Sequence, residues 1–128
     1  MENIEIAGVL EELGQLLEIN GSNPFRIRAY QNAVRTIRGL TRPLSVMVDA
    51  GEDLTALDAI GKDISAHIVE LVQTGALTRL TEVSAEVPRS LVQLVKLDGV
   101  GPKKAKKLWE LLGVTTVEEL EVALKEGR

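Results

Sequence analysis

Apolar residues recur at helical spacing along almost the whole chain. Ile6, Val9, Leu10, Leu13 and Leu17 form the first stripe, the pattern of an amphipathic helix. Asn20-Gly21 is a stop signal for it. Ser22-Asn23-Pro24 restarts a helix with Pro24 at its first position. Phe25, Ile27, Tyr30, Val34 and Ile37 carry that helix to Gly39. Short helices are predicted over 43–50 behind Pro43 and over Leu54–Asp58 behind an Asp53 cap. A longer one runs from Lys62 to Thr74 and closes at Gly75. Residues 76–86, Pro88 to Lys96, and Pro102–Leu112 up to Gly113 read as three more. Thr116 with Glu119 makes a capping box for a last helix. No segment alternates with the period of two that a half-buried strand shows. The expectation is an all-α bundle of nine short helices.

One pattern occurs twice, 40 residues apart. Leu57-Asp58-Ala59-Ile60-Gly61 matches Leu97-Asp98-Gly99-Val100-Gly101, and Ile68-Val69-Glu70-Leu71-Val72 matches Leu108-Trp109-Glu110-Leu111-Leu112. Each copy reads as a short helix, a tight glycine turn and a longer helix. That is a helix-hairpin-helix unit used twice.

Composition narrows the chemistry. At 128 residues the chain makes one domain or two very small ones. It holds one Phe, one Tyr and one Trp, so the core is aliphatic. It has no cysteine, which excludes disulfide scaffolds, zinc fingers and thiol nucleophiles. Its single histidine, His67, excludes multi-histidine metal sites. No apolar run reaches the roughly 20 residues of a membrane span. An acidic start does not read as a signal peptide. The expected location is the cytoplasm, in association with the nucleoid.

The net charge of −4 conceals segregation. Residues 1–20 hold five Glu and no base, and residues 21–44 hold Arg26, Arg28, Arg35, Arg38 and Arg42 and no acid. Residues 89–107 hold Arg89, Lys96, Lys103, Lys104, Lys106 and Lys107 against Asp98 alone. Such blocks are either solvated helix faces or places where phosphate docks.

The second copy favours phosphate. Gly99 and Gly101 permit backbone conformations closed to other residues and allow a close backbone approach. Val100 is placed to tuck between the two helices. The free N–H groups at the start of the helix after Pro102 attract an anion, and Lys103, Lys104, Lys106 and Lys107 surround them. Contacts of this kind hold a nucleic-acid backbone without reading bases. The alternative is a plain helix corner with a solvated lysine face. The first copy is degenerate, with Ala59 for the first glycine and Asp63 where a phosphate would sit. Gly61 and Lys62 are its candidate contacts.

The run Asn23-Pro24-Phe25-Arg26-Ile27-Arg28-Ala29-Tyr30-Gln31-Asn32-Ala33, followed by two such hairpins, resembles the N-terminal part of family X DNA polymerases. These are the DNA polymerase beta-like enzymes, here in their bacterial and archaeal form. Residues 1–87 resemble the small lyase domain, and residues 88–128 the start of the adjoining fingers-like subdomain. The resemblance implies binding to gapped, nicked or 5′-phosphorylated DNA, with Arg26 and Tyr30 near the 5′-phosphate; Arg28 is a further candidate DNA contact. Tyr30 is otherwise a core residue. It also implies a monovalent cation, K⁺ or Na⁺, held by the backbone carbonyls of Val95, Leu97 and Val100. The carbonyls of Thr55, Leu57 and Ile60 would form an equivalent set. No other cofactor is expected.

Two departures weigh against catalysis. The family's Schiff-base lysine position carries His67, and imidazole forms no such stable imine. Lys62, the one lysine in residues 1–95, sits five positions earlier, about 140° round the helix. It, or the N-terminal amine, remains the alternative nucleophile for an abasic-site lyase. The paired aspartates of the polymerase palm have no counterpart here. The expectation is a structure-directed DNA-binding module. The rivals are that lyase and a protein-interaction module using the acidic segment 1–20 or the C-terminal helix.

Overall fold

The computed structural model describes residues 1–127. Four other helices pack against α1 (Asn3–Ile19), the central element of the fold. Ile6, Ala7, Leu10, Leu13, Leu16, Leu17 and Ile19 are all buried, a wider apolar surface than a single stripe. A helix this apolar serves several partners, here α2 (Pro24–Arg38), α5 (Thr78–Glu86), α6 (Leu91–Val95) and α7 (Pro102–Leu112). The α1 start is held by a reciprocal Glu2–Glu5 box, in which the Glu2 N–H donates to Glu5 Oε1 at 3.1 Å.

Between α2 and α5 lie α3 (Leu44–Asp49), a 3₁₀ turn (Leu54–Ala56) and α4 (Lys62–Thr74). The last helix is α8 (Val117–Lys125). Among the described residues there are eight α-helices and no strand.

Local chemistry sets most boundaries. Asn23 Oδ1 accepts the Phe25 N–H at 2.8 Å and Pro24 opens α2. Asp53 Oδ1 accepts from the Thr55 N–H at 3.0 Å, capping the 3₁₀ turn. Gly75 and Gly113 end α4 and α7 in the left-handed conformation. The Asn3 side chain bridges α1 to the α2–α3 connection. Its Nδ2 donates to the Arg42 carbonyl at 2.8 Å, and its Oδ1 accepts from the Leu44 N–H at 2.8 Å. At the α8 start the Thr116 hydroxyl accepts the Glu119 N–H at 3.1 Å.

Four expectations need correction. The segment Leu54–Asp58 forms only the 3₁₀ turn, because Leu57 is already extended. The helix expected over 76–86 begins at Thr78, whose N–H donates to Glu70 Oε2 of α4 at 2.9 Å. Pro88 does not open α6. Residues 88–90 form a tight turn in which the Leu91 N–H donates to the Pro88 carbonyl at 3.1 Å, and the helix starts at Leu91. Phe25 is not core but 78% exposed. It lies about 200° round the helix from Ile27, off the buried line of Ile27, Tyr30, Val34 and Ile37.

One apolar cluster runs through both halves of the chain, from Leu13, Tyr30 and Leu71 to Leu91, Leu94, Ala105, Val114 and Ala123. A Cβ at Gly14 would lie 3.1 Å from Tyr30 Cβ. That glycine therefore lets α1 and α2 approach closely, which positions Tyr30. No described helix is long and apolar enough to cross a membrane.

Candidate nucleic-acid interface

The sequence repeat is also a backbone repeat. In the first copy the N–H of Leu57 donates to Leu54 at 3.0 Å, that of Ile60 to Leu57 at 3.3 Å, and that of Ser65 to Gly61 at 2.9 Å. In the second copy Leu97 donates to Leu94 at 3.1 Å, Val100 to Leu97 at 3.1 Å, and Ala105 to Gly101 at 2.9 Å. Ala59 and Gly99 both have positive φ, +62° and +79°. Gly61 and Gly101 are both extended N-caps, with φ, ψ of −85°, −178° and −95°, −179°.

The conformational demand therefore falls on Gly99 and Ala59. Gly101 does not need the special freedom expected of it, because any residue adopts its angles. What Gly61 and Gly101 share is the lack of a capping side chain and open space where a Cβ would be. Free N–H groups at the starts of α4 and α7 are thus left for an external anion. Ile60 is buried and Val100 half-buried, each packing its turn against the core.

The two helix starts differ in charge. Lys103 and Lys104 stand exposed in the first turn of α7, while Asp63 occupies the first turn of α4 beside Lys62. Arg26, Tyr30, Ala59, Gly61, Lys62 and Asp63 line one pocket of about 310 Å³ at the first hairpin. Arg28 points elsewhere, into a groove shared with Lys103, Lys104 and Lys106. The three α2 residues singled out from the sequence therefore serve two places. Arg26 and Tyr30 meet the first hairpin, and Arg28 meets the second. Phe25 and Arg26 line a shallow recess of their own. Phe25 is the site candidate that periodicity hid, although its angular distance from Ile27 already marked it.

Internal ion pairs also sort the arginines. Arg38 donates to Glu11 at 2.8 Å, and Arg42 to Glu52 at 2.6 and 3.1 Å. Arg89 forms a bidentate pair with Glu12. Arg26, Arg28, Lys62, Lys103 and Lys104 are in no ion pair recorded among the described residues.

Tyr30 is both core residue and pocket wall. It is 5% exposed, and its hydroxyl lies 3.1 Å from His67 Nε2, with the rings stacked at 6.2 Å between centroids. An unprotonated Nε2 accepts the hydroxyl proton. Burial pushes the His67 pKa down against the opposing pull of Asp63 and Glu70, with Arg79 adding to the decrease. Burial also raises the Tyr30 pKa, with Arg26 and Arg79 opposing. Both shifts favour the neutral forms, and His67 offers a hydrogen-bonding ring rather than an amine.

Residues 1–77 match the family model for a helix-hairpin-helix domain, and the chain belongs to that family. It is homologous to the N-terminal part of family X DNA polymerases. It is 35% identical over 128 residues to DNA polymerase/3′-5′ exonuclease PolX of Bacillus subtilis, covering 100% of this chain and 22% of that protein. It is 32% identical over 94 residues to DNA nucleotidylexotransferase of Ambystoma mexicanum, covering 73% of this chain and 18% of the relative. DNA polymerase lambda of Rattus norvegicus is 24% identical over 118 residues, covering 92% and 19%. The chain thus spans about a fifth of the length of these relatives.

Proposed function

We propose that this chain is a DNA-binding module that grips backbone phosphate through two helix-hairpin-helix units, without reading sequence. The observation that carries this is the hairpin pair. Two turns 40 residues apart repeat the same hydrogen bonds and leave an uncapped helix start exposed. The second start carries Lys103 and Lys104, which are in no ion pair among the described residues. Kinship with family X DNA polymerases implies DNA as the ligand.

Within that reading each unit, 1–87 and 88–128, contributes one hairpin. Gly99, Val100, Gly101, Lys103, Lys104 and Lys106 hold one stretch of backbone. Arg26, Tyr30, Gly61 and Lys62 take a terminal 5′-phosphate, and exposed Phe25 stacks on an unpaired base beside it. Gapped DNA with a 5′-phosphate supplies all three features at once, and nicked DNA supplies the backbone and the phosphate.

The carbonyls of Val95, Leu97 and Val100 suit a monovalent cation. No described N–H outside the regular helices donates to Val95 or Val100, and Leu97 accepts only that of Val100. Such a cation would tie the turn to a phosphate oxygen.

The test is fluorescence anisotropy with a 5′-phosphorylated gapped duplex against intact duplex at two salt concentrations. Salt-sensitive preference for the gap is expected. No binding at low salt would sink the reading and favour a protein-interaction module built on α1 or α8.

A second reading has one observation behind it, since Lys62 lines the pocket with Arg26 and Tyr30. As an abasic-site lyase its amine would condense with the sugar aldehyde and expel water. Borohydride trapping that vanishes in Lys62→Ala would establish it. His67 stands where the polymerase resemblance places the amine, so no trapping is expected.

A further inference from the structure

The groove between the α1–α2 turn and the start of α7 has a volume of about 870 Å³. It belongs to neither hairpin alone. Arg28 comes from α2, and Lys103, Lys104 and Lys106 come from α7. Lys106 reaches over the turn, since its Nζ would lie 4.0 Å from a Cβ at Gly21. The opposing charges are few. Glu18 lines the groove, and Glu110, itself exposed, meets the half-buried Lys106 at 3.9 Å. Contacts of that kind are weak and screened. Four cations gathered from two distant segments repel one another unless an anion lies between them.

We propose that this groove is a further backbone-phosphate site, in which Arg28 joins the α7 lysines on one DNA strand. This rests on the reading that the second hairpin binds DNA. Gly101 and Pro102 line the same groove, so the anion site at the α7 start opens into it. A ligand with phosphates repeated along a chain occupies both places, which a single small anion does not. The strand gripped by the second hairpin is then also gripped by α2, and bound DNA bridges the two units. Arg26 and Arg28, two residues apart, thereby serve different stretches of DNA.

Anisotropy with two probes separates the possibilities. One is a blunt duplex with 5′-hydroxyl ends, and the other a 5′-phosphorylated gapped duplex. Arg28 is exposed, so Arg28→Gln should keep the fold, checked by far-UV circular dichroism. It is expected to weaken both probes alike, roughly five- to tenfold at low salt, and to lower the salt slope by about one. Arg26→Gln is expected to lose affinity only for the 5′-phosphorylated probe. The double variant Lys103→Gln/Lys104→Gln is expected to weaken both. If Arg28→Gln leaves the blunt duplex unchanged while the lysine variant weakens it, the shared groove is wrong and the hairpin reading survives. If the lysine variant also changes nothing, the DNA reading falls with it.

Discussion

At the scale of single residues, the most telling position is Ala59. Its φ of +62° is the conformation that Gly99 adopts in the other copy. An L-residue there costs about 1–2 kcal/mol. Part of a Gly replacement's gain is offset by added freedom in the unfolded chain. Ala59→Gly is expected to stabilise the protein by about 0.5–1 kcal/mol, and Gly99→Ala to destabilise it by about 1 kcal/mol. Urea denaturation of the two variants reads both signs. His67 carries a pH signature. Burial lowers its pKa in the folded protein, so the unfolded chain takes up its proton first as pH falls. The His67 contribution is therefore present above the usual histidine range and lost as pH falls through the lowered value. Stability should decline from about pH 7 to pH 5, and His67→Gln should flatten that stretch of the profile. The sequence shows a histidine here. It does not show the Tyr30 hydroxyl 3.1 Å away, because that partner comes from another helix.

At the scale of elements, two hairpins of equal backbone differ in what they present. The second residue of α7 is Lys103, and its equivalent in α4 is Asp63. An acid at that place favours its own helix start by a few tenths of a kcal/mol and repels phosphate. Asp63→Lys should therefore strengthen DNA binding and steepen the salt dependence by about one unit. A titration against salt decides it, and an unchanged slope would mean the first hairpin does not touch phosphate. The duplication, most helix ends and the glycine turn were legible because each rests on local chemistry. The true starts of α5 and α6 were not. Glu70 reaches back from α4 to cap Thr78, and residues 88–90 spend their hydrogen bonds in a turn.

At the scale of the molecule, α6 and α7 pack on α1 and share its core. Leu94 has no exposed surface, so Leu94→Ala should cost about 2–5 kcal/mol. The loss should appear in one cooperative transition. The one tryptophan, Trp109, lies in α7, so its fluorescence follows the second unit while circular dichroism follows all the helices. Coincident curves are expected, and two separate transitions would show that the units fold independently. Helical periodicity, turn glycines and the two hairpins were set along the chain, because helices, caps and tight turns depend on residues within about four positions of one another. Charge along the chain was a poorer guide. It counted Arg38, Arg42 and Arg89 among available cations, and folding pairs them with Glu11, Glu52 and Glu12. It grouped Arg28 with Arg26, and folding turns the two toward different hairpins. Electrostatic pairing depends on distance in space: packing on α1 brings Arg38 to Glu11 and Arg89 to Glu12, and the turn through α3 brings Arg42 to Glu52.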